Sequence, residues 1–171
     1  KTEFAMILNP DAFIFEEEIN FIVSSLQDAK EVAIGAPLLL NSYPPNELDI
    51  SKQNSIVKSN LIDETNQYMS VKYIIGAILF FRMSAFKKIG FFDKSFFMFA
   101  EDNELSDRSL ANGYQNVTIN NAKAFHSGGG SSKKSLRNTY RRFWHLGWSK
   151  SKYKQIKKGK LQTARATARL S

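Results

Sequence analysis

The sequence predicts a mixed α/β fold, on three observations. Short apolar runs of strand length alternate with stretches whose apolar residues recur at helical spacing. A chain of 171 residues with 43% apolar content can bury one sizeable core. The absence of Cys excludes a disulfide framework, Cys-based zinc sites and thiol catalysis, so packing must hold the fold. The apolar run Tyr73 to Phe81 is far too short to span a bilayer.

Taken in order, Phe4 to Leu8 reads as a buried strand that stops at the turn Asn9-Pro10-Asp11, where Pro ends ladder pairing. Glu16 to Lys30 reads as a helix. Ile19, Ile22, Val23 and Leu26 share one face, and Glu16 to Glu18 suit the positive end of its dipole. Val32 to Leu40 is a second strand. Asn41 to Gln67, polar and containing Pro44-Pro45, is expected as a long surface loop. Val71 to Arg82 is expected as a third strand interrupted by Gly76, followed by a short helix from Ser84 to Ile89 and an aromatic loop through Phe99. Glu101 to Asn112 reads as a helix with Gly113 past its end. Gln115 to Ile119 and Ala122 to His126 are expected as two strands joined at Asn120-Asn121. After the flexible turn Gly128 to Ser132, Leu136 to Ile156 reads as a helix. Leu136, Tyr140, Phe143, Trp144, Gly147 and Trp148 lie near one stripe of it.

Charge is placed one-sidedly. Residues 1–107 hold all 16 acidic residues and 9 basic ones, a net of −7, whereas 108–171 hold 15 basic residues and no acid. A segment of that sign faces an anion: phosphate-bearing ligands, acidic lipid head groups or nucleic acid. A solvated basic tail is the plain alternative.

Four constellations carry candidate chemistry. Asn9-Pro10-Asp11, at the end of a buried strand, stands where ligands bind in open α/β sheets, and its oxygens suit Mg²⁺ or Mn²⁺ holding a diphosphate. The same tripeptide also makes an ordinary turn. Glu101-Asp102 opens a helix beside an aromatic loop; a carboxylate there serves either as general base or as simple dipole matching. His126 precedes a glycine-rich turn and is a metal ligand or a structural residue. The basic-aromatic stretch Arg141 to Trp148, with two Trp and flanking Arg and Lys, suits a phosphate ligand, a membrane interface or stacked bases, or else caps the core.

Each signal alone is unspecific; their order is not. The sequence resembles the second half of family-2 inverting glycosyltransferases of GT-A fold, especially the bacterial rhamnosyltransferase-like branch. The stretches that carry the resemblance are Leu8-Asn9-Pro10-Asp11-Ala12, Gly76-Ala77 with Arg82, and Ile89-Gly90-Phe91-Phe92-Asp93. They continue with Phe96 to Leu105 and Arg108, Gly113-Tyr114, His126 and Ser131-Ser132. The resemblance covers about residues 4–148.

What it implies is specific by residue. The fold would be a Rossmann-like mixed sheet flanked by helices, without the family's N-terminal nucleotide-binding half. Residues 1–132 would belong to the transferase domain and 133–171 to a basic helical tail. Asp11 would ligate the cation bridging a sugar-nucleotide diphosphate. Asn9 replaces the first acid of the family's Asp-x-Asp pattern and offers a carbonyl oxygen. Asp102 would be the catalytic base and Glu101 would orient the acceptor or Asp102. His126 would be a further metal ligand. Gly76 would leave room for the donor sugar. Arg108, Ser131, Arg141, Arg142 and Trp144 would contact substrate, the two arginines supplying positive charge.

The partners so implied are a nucleotide sugar, Mg²⁺ or Mn²⁺, a saccharide or lipid-linked acceptor of cell-surface polysaccharide synthesis, and peripheral contact with an anionic membrane at its cytoplasmic face. No nucleic acid is expected. Rhamnose is one sugar the resemblance suggests. The chain alone is expected neither to bind nucleotide tightly nor to turn over. Two other readings stand beside this one: an inactive transferase-like scaffold, and a basic anion- or nucleic-acid-binding module. The last explains the basic half but not the order of the other motifs.

Overall fold

The structure is a computed structural model. It describes residues 2–41, 43–44, 47–127 and 135–168, with side chains as far as residue 159. Its elements in chain order are β1 (Phe4–Leu8), β2 (Ala12–Phe13), α1 (Glu16–Gln27), β3 (Val32–Leu40), α2 (Glu47–Lys58), β4 (Leu61–Glu64), β5 (Tyr68–Val71), β6 (Ile78–Arg82), α3 (Met83–Ile89), α4 (Glu101–Ala111), β7 (Gln115–His126) and α5 (Leu136–Ala168).

Among the described residues, seven strands form one mixed sheet. Six follow the order β1-β6-β3-β7-β5-β4, and β2 pairs with the far end of β7. β3 and β7 run parallel; the other pairings are antiparallel. β3 is central, and every one of its residues is buried, as its unbroken apolar run requires of a strand covered on both faces. One core lies on the α1 side, built on Ile22, Leu26, Ile78, Phe80 and Ile119. A second lies on the opposite face, where Ile34, Leu79, Phe81, Phe86 and Leu105 meet. The alternation of Leu79 and Phe81 with Ile78 and Phe80 is the two-residue period of a strand feeding both.

Four expectations are corrected. Phe4 to Leu8, expected as a buried strand, is an edge strand of the sheet with Met6, Ile7 and Leu8 exposed. The polar stretch 41–67 is not one long loop: it contains α2 and β4. The α2 helix is weakly amphipathic, and its fixing contact is polar. Asp49 accepts hydrogen bonds from the Asn41 backbone N–H and side-chain amide, both at 2.7 Å. The run 71–82 is two strands, β5 and β6, with residues 72–77 between them, so Gly76 stands in a turn rather than in a strand. The two strands expected around Asn120-Asn121 are one strand, β7, whose register against β3 slips between Ala36↔Thr118 and Leu38↔Lys123. Asn121, at φ 65°, absorbs the irregularity. The expected tail boundary at residue 132 lies outside the described residues.

Candidate active site

The sheet brings distant residues together at one edge. Ala12 of β2 pairs with His126 at the end of β7. That pairing sets Asp11 beside His126, with Asp11 Oδ1 3.3 Å from His126 Nε2. The Ser127 N–H also donates to the Asp11 carbonyl, at 3.2 Å. Both side chains are largely shielded, Asp11 more than His126.

The loop before α4 places the two other carboxylates. Phe99 and Ala100 both adopt left-handed backbone conformations, at φ 67° and 64°. For residues with a Cβ such geometry costs about 1–2 kcal/mol each, and it must be held by its surroundings. Two contacts do so: Ser149 of α5 donates to the Met98 carbonyl at 2.6 Å, and Ala100 is buried. The result is a sharp entry into α4 with Glu101 and Asp102 in its first turn.

Asp102 is held at both oxygens. The Gly76 N–H donates to Oδ2 at 3.1 Å and the Asn103 N–H to Oδ1 at 2.8 Å. A side chain at Gly76 would crowd this contact. A Cβ there would lie 3.3 Å from the Asp102 Cβ and 3.4 Å from its Oδ2. Burial pushes the Asp102 carboxyl above its ordinary value of 3.8, against the opposing effect of those two N–H groups. Burial likewise raises Glu101 above 4.5, and the neighbouring Asp102 charge adds to it. Glu101 Oε2 is shut off from solvent and finds no donor among the described residues.

All these groups line one cleft of about 580 Å³, within the range of small-molecule sites. Asn9, Asp11 and His126 lie on the β2 side, Glu101 and Asp102 at the mouth of α4, and Gly76 in the β5–β6 turn. Helix α5 closes the cleft with Arg142, Leu146, Lys150 and Tyr153, which follow at intervals of four, four and three residues. Tyr153 also anchors α5. Its hydroxyl donates to Asp107 Oδ2 at 2.5 Å and lies 3.3 Å from the Tyr73 hydroxyl. Lys157 donates to Tyr73 at 2.6 Å and pairs with Asp107 at 3.2 Å.

The structure thus gathers seven expected site residues, Asn9, Asp11, Gly76, Glu101, Asp102, His126 and Arg142, into one cleft. The others are placed elsewhere. Arg108 turns away to brace the fold: it pairs with Glu104 at 2.7 Å and donates to the carbonyls of Ile89 and Phe91. Arg141 is exposed and absent from the cleft lining, and Trp144 is exposed with its ring edge-on to His145. Ser131 lies outside the described residues. Gly76 lines the cleft and also meets Asp102.

Lys150 and Tyr153 were not foreseen. Their signal was the Arg142-Leu146-Lys150-Tyr153 spacing, masked by the more conspicuous aromatic stripe. Leu136, Tyr140, Phe143, Trp144 and Trp148 of that stripe are exposed.

Among the described residues no group of three or more His, Asp or Glu side chains converges on a cation position. A carboxylate, an imidazole and a nearby amide nevertheless make a donor set that fits Mn²⁺ or Mg²⁺. Such ions in phosphate sites take one or two protein ligands and complete their shell with phosphate oxygens and water.

No protein-family model matches the chain, and no curated protein matches it in sequence. Solved structures do resemble it. One is the crystal structure of GalNAc-T7 with UDP, GalNAc and Mn²⁺, with a TM-score of 0.55 and 13% identity over 81% of this chain. The chain spans 31% of the length of that protein. The likeness establishes the fold class: a GT-A-type mixed sheet flanked by helices, as found in glycosyltransferases.

Proposed function

We propose that this cleft is the acceptor-activating and cation-binding part of an inverting glycosyltransferase that uses a nucleotide sugar. The observation that carries the reading is Asp102. It is a partly buried carboxylate with raised proton affinity, fixed by two backbone N–H groups, in the same cleft as the Asp11–His126 pair. A general base needs that rigidity and that shifted proton affinity.

In this reading Asp102 takes the proton from an acceptor hydroxyl. The freed oxygen lone pair forms the new bond to the anomeric carbon as the bond from that carbon to the diphosphate oxygen breaks. The nucleoside diphosphate departs with that electron pair, and the anomeric centre inverts. Glu101, which lines the same cleft, orients the acceptor through a second hydroxyl. Asn9, Asp11 and His126 would hold Mg²⁺ or Mn²⁺, whose chemistry is to neutralise charge growing on the leaving diphosphate. Arg142 and Lys150 add positive charge from α5.

Support for this reading comes from the ordered resemblance to family-2 enzymes and from the GT-A-type fold. Rhamnose as the sugar, surface polysaccharide as the product and the cytoplasmic membrane face as the location rest on the resemblance alone. Among the described residues no helix is long and apolar enough to cross a membrane. The test is Asp102→Asn in the protein encoded by the full reading frame. Transfer should fall by about 10²–10⁴-fold, the usual contribution of a general base, while donor affinity stays close to that of the parent. Undiminished turnover removes Asp102 from the base role.

A further inference from the structure

Residues 72–77, between β5 and β6, lie outside the sheet ladder, yet they carry the N–H that holds Asp102. Three backbone groups of this segment, two residues apart, are held from α4 and β7 instead. The Gly76 N–H donates to Asp102 Oδ2 at 3.1 Å, and the Ile74 N–H donates to Ser106 Oγ at 3.4 Å. The Lys72 carbonyl lies 3.5 Å from Asn116 Nδ2. Asp102 and Ser106 stand one turn apart on α4, and a helix turn rises about 5.4 Å. Two residues of non-helical chain can match that span.

The side chains that hold the segment are themselves tied together. Ser106 Oγ donates to the Asp102 carbonyl at 2.7 Å, and Asn116 Nδ2 donates to the Ser106 carbonyl at 3.0 Å. Ser106 is 1% exposed and Asn116 is fully buried. A core built for stability alone would not select them. A buried hydroxyl or amide costs free energy wherever it is unmatched, and Asn116 Oδ1 finds no donor among the described residues. What the amide supplies is its donors. One residue beyond Gly76, the Ala77 carbonyl accepts from the Asn9 N–H at 2.9 Å. The segment thus joins the Asp102 side of the cleft to the Asn9 side.

We propose that Ser106 and Asn116 are positioning residues: by pinning residues 72–77 to α4 they set where the Gly76 N–H meets Asp102 and how far Asp102 stands from Asn9. Neither side chain lines the cleft, so both act through the segment. The consequence for turnover rests on the transferase reading; the geometry does not.

The test reads the Gly76 amide of the full chain by proton NMR. An N–H bonded to a carboxylate responds as that carboxylate ionises, so its chemical shift against pH follows Asp102. Glu101, Asp11, His126, Arg142, Lys150 and Tyr153 share the cleft with Asp102, and the substitutions alter none of them. Ser106→Ala should cut the pH-dependent shift by about half or more and speed exchange of this amide about tenfold, as loss of one hydrogen bond does. Asn116→Ala should act in the same direction. Ser109→Ala is the matched control. Its hydroxyl is equally buried on the same helix, and Oγ has no partner among the described residues. It should change neither reading. If Ser106→Ala does not fold, Ser106→Cys keeps the volume and weakens both bonds, with the same losses expected. In the protein encoded by the full reading frame, Ser106→Ala should lower kcat about tenfold while donor KM stays within about twofold.

A Gly76 amide that titrates and exchanges unchanged in the Ser106 variant overturns the proposal. So does an equal change in Ser109→Ala, which would mean only that α4 has loosened. Once transfer is shown to need Asp102, an unchanged kcat in a variant whose Gly76 amide has moved overturns it too. The NMR readings need no sugar donor. Failure of the transferase reading, seen as undiminished transfer by Asp102→Asn, is therefore separable from failure of this clamp.

Discussion

At Gly76 the lack of a Cβ lets the backbone N–H approach the Asp102 carboxylate to 3.1 Å. Alanine there would set its Cβ 3.3 Å from the Cβ of Asp102, tighter than most real contacts, so Asp102 would have to give by a few tenths of an ångström. Gly76→Ala should leave the fold intact and lower turnover by about tenfold, the effect of a small misplacement of a reacting group. A circular dichroism melt beside steady-state kinetics separates the two; unchanged kinetics would detach Gly76 from Asp102.

Proton affinity at Asp102 makes a second prediction at this scale. The reactive form is the carboxylate, so turnover should rise with pH along an acidic limb set above 3.8. For stability the sign is as follows. The folded state holds this proton more tightly than the unfolded state. Stability from residue 102 is therefore full below 3.8 and is lost as pH rises through the folded value. Asp102→Asn cannot titrate there. Denaturant unfolding across that window should show the variant losing less stability with rising pH than the parent does.

At the scale of elements, two polar devices join helices to the sheet. Arg82, at the end of β6, is 4% exposed. It donates to the carbonyls of Val32, Leu26 and Ala29, pairs with Glu3 at 2.6 Å and lies over the Phe4 ring. It thereby satisfies carbonyls at the C-terminal end of α1, where positive charge is favoured. Glu3 is half exposed and stays solvated without it, so Arg82→Ala should cost about 1–3 kcal/mol, as leaving buried carbonyls without their donor does, read from chemical denaturation.

The second device is the Tyr153-Asp107-Tyr73-Lys157 cluster that pins α5 over the cleft. Tyr153→Phe removes its hydrogen bond to a charged group while keeping the ring. Amide exchange in α5 should quicken about tenfold or more, in line with the 1.5–3 kcal/mol such bonds contribute, with β3 unaffected. Unchanged exchange in α5 would mean the cluster does not hold it.

For the whole molecule, the parts legible in the sequence are those with a local cause. The apolar run of β3 and the helical stripe of α1 announce themselves because burial acts on each segment alone. Glu101 and Asp102 were visible because a helix start leaves a local signature, and Asp11 and His126 because their residue types suit a cation. What lay hidden has a non-local cause. Asp11 meets His126 only through β2–β7 pairing, and β2 has two residues, too few for any period to show. The α2 helix is held by Asp49 and Asn41, not by a clear apolar face. Arg108 carried the right charge for a ligand, yet its partner sits four residues back at Glu104.

The basic half of the chain reads differently once folded. Arg142 and Lys150 face the acidic cleft, and the other described basic residues of α5 lie outside its lining. In the proposed reaction this cleft transfers a glycosyl group with Asp102 as base. The most direct measurement is release of nucleoside diphosphate from a panel of nucleotide sugars. It would compare parent and Asp102→Asn proteins encoded by the full reading frame, with saccharide acceptors and Mn²⁺ or Mg²⁺. Acceptor-dependent release by the parent and at least a hundredfold loss in the variant are expected. Release unaffected by the substitution, or no release with any donor and acceptor in the panel, contradicts the proposed reaction.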